Sequence, residues 1–370
     1  MTNTAYCPMI HGGLQIHVKG TKKEISHCCS RSVTMPFTGN DMWNAPEMLP
    51  LRQLNLENKW DDNCYTCKFS ESNNQPSFRT STLEKYGNVT GISGPKRIDL
   101  SFDPNCNLAC RTCDPYFSTL WQKQYRENNI SFPIFSEIDN SQSIIKSLDT
   151  LDLAHLEDVV LAGGETLLGT SHWDVAEYLV NRVPNAHERL TISFQTNGTM
   201  PIPSRYYHVF DKCHMIRLNF SLDGIGEKFE YLRWPASWEQ VVDNINEIKE
   251  TIPANHMFLV EETISIFNLY YLHELDSWVK NNFAKNRLGD HVNHTRHNAI
   301  GIFGINNLTD EYANALAINS LLPNPIHENF IEQPERVNKM IDEISRFDKI
   351  RNQDWTKTFP EVASFYSRYL

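Results

Sequence analysis

The middle of the chain alternates between two apolar rhythms. Arg97–Asp103 alternates apolar and polar positions with a period of two. Asp158–Ala162, Leu190–Phe194, Met215–Leu222, His256–Ile266 and Asn298–Gly304 give five further strand patterns. Helical stretches lie between them: Tyr116–Glu127, Ser143–His155 (with Ile144, Ile145, Leu148, Leu151 and Leu153 as apolar positions), Trp173–Val183, Trp238–Ile252 and Tyr270–Asn281. Strand and helix in turn imply a parallel sheet with right-handed crossovers. Six such units fall short of a closed eight-stranded barrel. The expectation is an α/β fold: a partial (β/α)6 TIM-like barrel over residues 95–305, a small module before it over 1–94, and a C-terminal helical segment over 306–370.

The module has its own pattern. Gly13–Val18 alternates as a strand, Lys19-Gly20-Thr21 reads as a turn, and a second short strand leads to His27-Cys28-Cys29, so a β-hairpin is expected. A helix is predicted to begin at Asp41–Met48, with Leu51, Leu54 and Leu56 as its apolar positions.

Composition narrows the class. A formal net charge of −11 argues against a generic nucleic-acid-binding surface, which is basic. No apolar run approaches a membrane span, and Met1–Tyr6 lacks a basic-then-apolar signal, so a cytoplasmic protein is expected. In that compartment the nine cysteines read as metal ligands or catalytic groups rather than disulfides.

Eight of those cysteines fall into two groups. Cys106, Cys110 and Cys113 form a CxxxCxxC on the loop that leaves the C-terminal end of the first barrel strand. Three thiolates on a curling loop leave one iron of a four-iron cube without a protein ligand, open to a small molecule; a zinc corner completed from elsewhere uses the same residues. Cys7 precedes the hairpin, Cys28 and Cys29 follow it, and Cys64-Tyr65-Thr66-Cys67 supplies a CxxC beyond. By spacing alone this four-thiolate set suits a zinc ribbon and an iron–sulfur cluster equally. The ninth, Cys213, has no partner nearby and reads as core. His291, His294 and His297 are spaced by three but lack a helical apolar pattern, and read as a solvated loop.

Polar residues past strand C-termini are where barrels of this kind carry chemistry. Gly163-Gly164-Glu165, Thr196-Asn197-Gly198, and Ser221 with Asp223 each sit at such an end. Taken with Cys106, Cys110 and Cys113, in this order, they resemble the motifs of the radical S-adenosylmethionine (SAM) enzymes. The resemblance implies a [4Fe–4S] cluster on the three cysteines, with SAM bound to its open iron. SAM would be held by Gly163, Gly164 and Glu165 (amino group), Asn197 (ribose and carboxylate region), and Ser221 and Asp223 (ribose). It implies that one electron splits SAM to a 5′-deoxyadenosyl radical, which takes a hydrogen atom from the substrate. Two positions depart from the common pattern: Thr112 stands where an aromatic residue or Met is usual, and Thr166 where Pro is usual.

The order Cys7, hairpin, Cys28-Cys29, Trp43-Asn44, Cys64 and Cys67, Glu71, Ser77-Phe78-Arg79 resembles the twitch module of the SPASM/twitch group, here N-terminal to the barrel. It implies an auxiliary [4Fe–4S] cluster on Cys7, Cys28, Cys64 and Cys67, with Cys28 rather than Cys29 as ligand and Cys29 as a small buried side chain. Phe347–Trp355 and Phe359-Pro360-Glu361 resemble the closing segment of such N-terminal-twitch proteins. The group's tasks make modification of a ribosomally made peptide the first expectation, a small-molecule (sugar, aminoglycoside or nucleotide-derived) oxidoreductase the second, and a flavodoxin- or ferredoxin-type protein the electron donor. A non-catalytic zinc protein is the alternative of another class. Tyr231, Arg233 and Trp234 read either as cavity lining or as an aromatic surface patch. The sequence names no catalytic acid or base.

Overall fold

The computed structural model describes residues 4–19, 22–31, 34–132, 141–253, 255–283, 294–299, 302–318 and 331–370. The chain divides into two compact units. The first comprises residues 1–106, 122–196 and 202–218; the second comprises 107–121, 197–201 and 219–370.

In the first unit the expected hairpin is formed by β1 (Gly13–Lys19) and β2 (Lys22–Ser26), paired antiparallel from Gln15↔Ser26 to Lys19↔Lys22. A short β3 (Met35–Phe37) pairs antiparallel with β2. The other side of β1 runs parallel to β4 (Arg97–Phe102), in register from Gly13↔Arg97 to His17↔Ser101. The hairpin is thus continuous with the parallel sheet, a pairing that local pattern does not reveal. β5 (Asp158–Gly163) and β6 (Thr191–Thr196) follow, giving the order β3-β2-β1-β4-β5-β6. β4, β5 and β6 are parallel neighbours. Ile98, Leu100, Phe102, Val159, Leu161, Ile192 and Phe194, at alternate positions and in register, are buried on one face of the sheet. Trp173, on the helix Ser171–Arg182, stacks on Phe194 with ring centroids 4.4 Å apart.

β7 (Met215–Ser221) begins in the first unit and ends in the second. There its end joins β8 (Met257–Ile264), with Leu222 N donating to Glu261 O at 3.0 Å. β9 (His294–Asn298) runs parallel to β8 from Val260↔His294 to Ile264↔Asn298. The C-terminal segment is helical, led by Pro334–Arg351, and packs Trp355, Phe359 and Tyr366 with Tyr231, Phe267 and Tyr312 in one core. Among the described residues no helix is long and apolar enough to cross a membrane.

Four boundaries differ from expectation by more than two residues. The helix predicted from Asp41 starts at Leu49 and ends at Leu56; Asp41–Met48 makes bends and turns, and Pro50 sits in the helix's first turn, where its missing N–H costs nothing. The helix expected to reach His155 ends at Leu148, with Leu151 and Leu153 buried in the loop beyond. The barrel helix expected from Tyr116 starts at Thr119. The sixth strand lies at His294–Asn298 rather than Asn298–Gly304. Its polar sequence is tolerated because parallel pairing is made by backbone, whereas the apolar signal marked a buried loop around Phe303. His294 and His297 therefore lie on a strand, not a solvated loop, and His291 lies outside the described residues.

Candidate functional site

At the exit of β5 the two glycines serve backbone packing. A Cβ on Gly163, whose φ is 135°, would stand 1.9 Å from Phe102 O, and one on Gly164 would stand 2.2 Å from Asn105 O. Only glycine lets this turn lie against the start of the cysteine loop, where Gly164 N donates to Asp103 O (3.0 Å) and Glu165 N to Asn105 O (2.8 Å). Glu165 is buried, and its Oε1 accepts from Leu167 N (2.8 Å) and from Thr196 Oγ1 at the end of β6 (2.6 Å). These bonds fix the carboxylate's position at the junction of β5 and β6.

The rest of the loop belongs to the second unit. Asn197 Nδ2 donates to Asn107 Oδ1 (3.0 Å), Asn107 Nδ2 donates to Thr199 Oγ1 (2.8 Å), and Asn197 Oδ1 accepts from Thr199 N (2.9 Å). Asn197 thus grips the residue that follows Cys106. Ala109 N donates to Trp234 O (2.8 Å) and Arg111 N to Leu232 O (2.7 Å), so the backbone on either side of Cys110 is bonded to the backbone on either side of Arg233. Arg233 Nη1 points at Cys110 Sγ, 3.9 Å away, and its Nη2 pairs with Asp223 Oδ2 at 2.8 Å. Asp223 Oδ1 accepts from Thr263 N (2.8 Å). Ser221 is half-buried at the end of β7.

Further charge surrounds this core. Arg111 is ion-paired to Asp348, accepts no solvent, and lies 4.4 Å from the centre of the Tyr231 ring. Arg351 lies over Trp121 (4.5 Å) and Trp234 (4.9 Å), and burial together with the nearby Arg111 draws its pKa down to about 9. Burial raises the pKa of the Cys110 thiol, and Arg233 opposes that shift. The guanidinium groups of Arg111, Arg233 and Arg351 are buried, and Arg111 and Arg233 are ion-paired to the buried carboxylates Asp348 and Asp223. Arg111 Nε and Nη1 and Arg233 Nε are buried without a hydrogen-bond partner. A guanidinium directed at a cysteine sulfur fits an anionic iron–sulfur thiolate group.

Tyr231 and Arg233 are accordingly buried, not a surface patch: Tyr231 packs with Phe267 and Phe359, and Arg233 faces the cysteine loop. Arg111, Asn107, Thr199, Asp348 and Arg351 escaped the sequence reading. Arg111 stands inside the cysteine motif, which was its only local signal.

The N-terminal cysteines are brought together. Cys7, Cys28, Cys64 and Cys67 line one pocket in the first unit, with Arg31, Lys59, Arg79 and Asp61 among the other lining residues. Their elements explain the convergence. Cys7 precedes the short helix Pro8–Gly12, Cys28 follows β2, and Cys64 and Cys67 sit at the start of the helix Tyr65–Ser72. Arg79 is held by Glu71 and donates to Tyr6 O (2.7 Å), tying the helix Phe78–Tyr86 to the segment before Cys7. Burial pushes Cys7 up to about 12 and Cys64 to about 11, and each also feels the neighbouring Cys67. Cys29 is not in the lining. It is exposed, contrary to the buried role expected, because it sits on the turn after β2 and not within it. Cys213 is buried, as expected of a core thiol. Among the described residues no three His, Cys, Asp or Glu side chains converge tightly on a single-ion position.

Residues 100–267 match the family model described as the Radical SAM superfamily. The three-cysteine loop at the end of β4 and the glycine-pair–glutamate turn at the end of β5 lie within that span. Comparison with curated protein sequences gave no match. Among solved structures, "Native anSMEcpe with bound AdoMet and Cp18Cys peptide" is 13% identical with a TM-score of 0.38, over 60% of this chain and 57% of that one. Streptococcus suis SuiB bound to S-adenosylmethionine is 14% identical with a TM-score of 0.41, over 76% and 57%. SuiB bound to precursor peptide SuiA is 11% identical with a TM-score of 0.37, over 85% and 63%. The chain spans less than two thirds of these proteins' length, and at these values the similarity bears on neither substrate nor partner.

Proposed function

We propose that this protein is a radical SAM enzyme that reductively cleaves SAM and takes a hydrogen atom from a ribosomally made peptide, aided by an auxiliary [4Fe–4S] cluster in the module 1–94. The match of residues 100–267 to the superfamily carries this reading. Cys106, Cys110 and Cys113 would hold the SAM cluster, and Gly163, Gly164, Glu165, Asn197, Ser221 and Asp223 the region around SAM. When bound, the cluster supplies one electron and SAM supplies the hydrogen-abstracting adenosyl group. This chain's part is to hold and shield: Glu165 is fixed as a buried carboxylate for an ammonium, and Asn197 ties the loop down through Asn107.

Cys7, Cys28, Cys64 and Cys67 would hold the auxiliary cluster; their shared cavity and its basic lining support that assignment. With four protein ligands, that cluster would pass electrons rather than bind substrate. A flavodoxin- or ferredoxin-type protein would be the donor.

The test is anaerobic purification with iron and sulfide analysis and an assay for 5′-deoxyadenosine. Two four-iron clusters and reductant-dependent 5′-deoxyadenosine are expected, with Cys106→Ala, Cys110→Ala or Cys113→Ala abolishing SAM cleavage while the auxiliary cluster survives. Zinc without iron, or undiminished 5′-deoxyadenosine from any of the three variants, overturns the reading. A short precursor peptide encoded beside the gene, modified when incubated with the enzyme, supports the peptide substrate; turnover of a small molecule alone replaces it.

A further inference from the structure

We propose that Arg233 is a positioning residue that sets the reduction potential of the cluster held by Cys106, Cys110 and Cys113, with Asp223 as its brace. The inference rests on the reading above that these cysteines hold a cluster.

Three observations carry it. First, two backbone hydrogen bonds, Ala109 N to Trp234 O and Arg111 N to Leu232 O, bracket Cys110 on one side and Arg233 on the other. The two residues therefore face each other across a short two-rung ladder, and their separation is set by backbone rather than by side-chain rotamers. Second, Arg233 Nη1 is directed at Cys110 Sγ at 3.9 Å, within reach for a donor to sulfur. Third, the guanidinium is held from behind. Its Nη2 pairs with Asp223 Oδ2 at 2.8 Å, Asp223 Oδ1 takes Thr263 N at 2.8 Å, and Asp223 O takes Asn268 Nδ2 at 3.0 Å. Asp223 Oδ1 is thus hydrogen-bonded within the protein, while Oδ2 is buried and ion-paired to Arg233 without a well-angled hydrogen bond, so the carboxylate faces Arg233. Both residues are buried.

The consequence follows from charge. An arginine keeps its proton at any working pH. Reducing an iron–sulfur cluster by one electron adds one negative charge to it. A fixed cation donating to a ligand sulfur stabilises the reduced form more than the oxidised form, and the potential rises; hydrogen bonds to sulfur and nearby charge are the protein's levers on such potentials. In a buried setting the effect is screened far less than on a surface. Asp223 opposes the shift electrostatically while keeping the guanidinium in place, so the two side chains act with opposite sign. A plain structural ion pair has no such signature.

The experiment is a redox titration of the anaerobically prepared full-length protein without SAM, followed by electron paramagnetic resonance. The signal lost in Cys106→Ala identifies the SAM cluster, and the auxiliary cluster serves as internal reference. Arg233→Gln should shift the SAM-cluster midpoint to more negative potential at unchanged iron content, Asp223→Asn should shift it to more positive potential, and Arg233→Lys should restore most of the Arg233→Gln shift. The auxiliary midpoint should stay fixed in all three. If Arg233→Gln loses its iron, the Asp223→Asn and Arg233→Lys measurements still decide. Unchanged midpoints, or shifts of the same sign for Arg233→Gln and Asp223→Asn, overturn the inference. Absence in the unmodified protein of any cluster signal sensitive to Cys106→Ala overturns the functional reading instead.

Discussion

Cys28 and Cys29 are adjacent in sequence and differ in surroundings. Cys28 is buried in the wall of the cavity with Cys7, Cys64 and Cys67, whereas Cys29 is exposed and outside it. Cys28→Ser should therefore lose the auxiliary cluster's iron, and Cys29→Ser should keep it; iron analysis and the cluster spectrum of each anaerobic variant decide, and the reverse result reverses the assignment. His172 shows another residue-scale effect. Its ring is buried 4.5 Å from Phe102, with Nε2 3.1 Å from Ala162 O, and burial lowers its pKa below the ordinary 6.5. The folded state thus refuses a proton that the unfolded chain accepts. His172 supports stability fully above the unfolded pKa, and that support falls as pH drops below it. Urea unfolding from about pH 7 to about pH 5.5 should give a shallower pH dependence for His172→Gln than for the unmodified protein. Equal slopes would refute this.

At the scale of elements, the exit of β5 is a tightly constrained turn. Gly163→Ala places a methyl group on backbone that cannot yield and forces a side chain into the φ 135° region. A loss of about 1–3 kcal/mol from strain alone is expected, with more from displacement of the cysteine loop. Denaturant unfolding measures the first part, and iron retention at Cys106, Cys110 and Cys113 the second; a fully stable, fully iron-loaded variant would contradict both.

Strand and helix order was legible because period-two and helical patterns are local. The strand-end motifs were legible because glycine, asparagine and carboxylates mark turns. The pairing of β1 with β4, and of Arg233 with Cys110, was not legible. Backbone ladders between distant segments leave no periodic trace, and a buried arginine looks like any surface arginine until its partner is placed. The sixth strand was misplaced for the same reason: the register of a polar strand such as His294–Asn298 is set by its neighbour.

At the scale of the molecule, the two cysteine regions adjoin one sheet element. β4 leads directly into the cysteine loop, and on its other side it is bonded to β1 of the hairpin whose ends carry Cys7 and Cys28. A break near residue 94 would appear to separate a small module from a self-sufficient catalytic part. It would instead leave β4 as an edge strand, with Ile98, Leu100 and Phe102 behind an open row of backbone donors and acceptors. Such an edge recruits other chains. A fragment starting at residue 95 should therefore aggregate or form strand-paired oligomers, visible by light scattering on size exclusion, and a monodisperse fragment would refute this. The hairpin acts as a built-in sheet cap, so the two halves of this protein cannot be dissected or grafted independently.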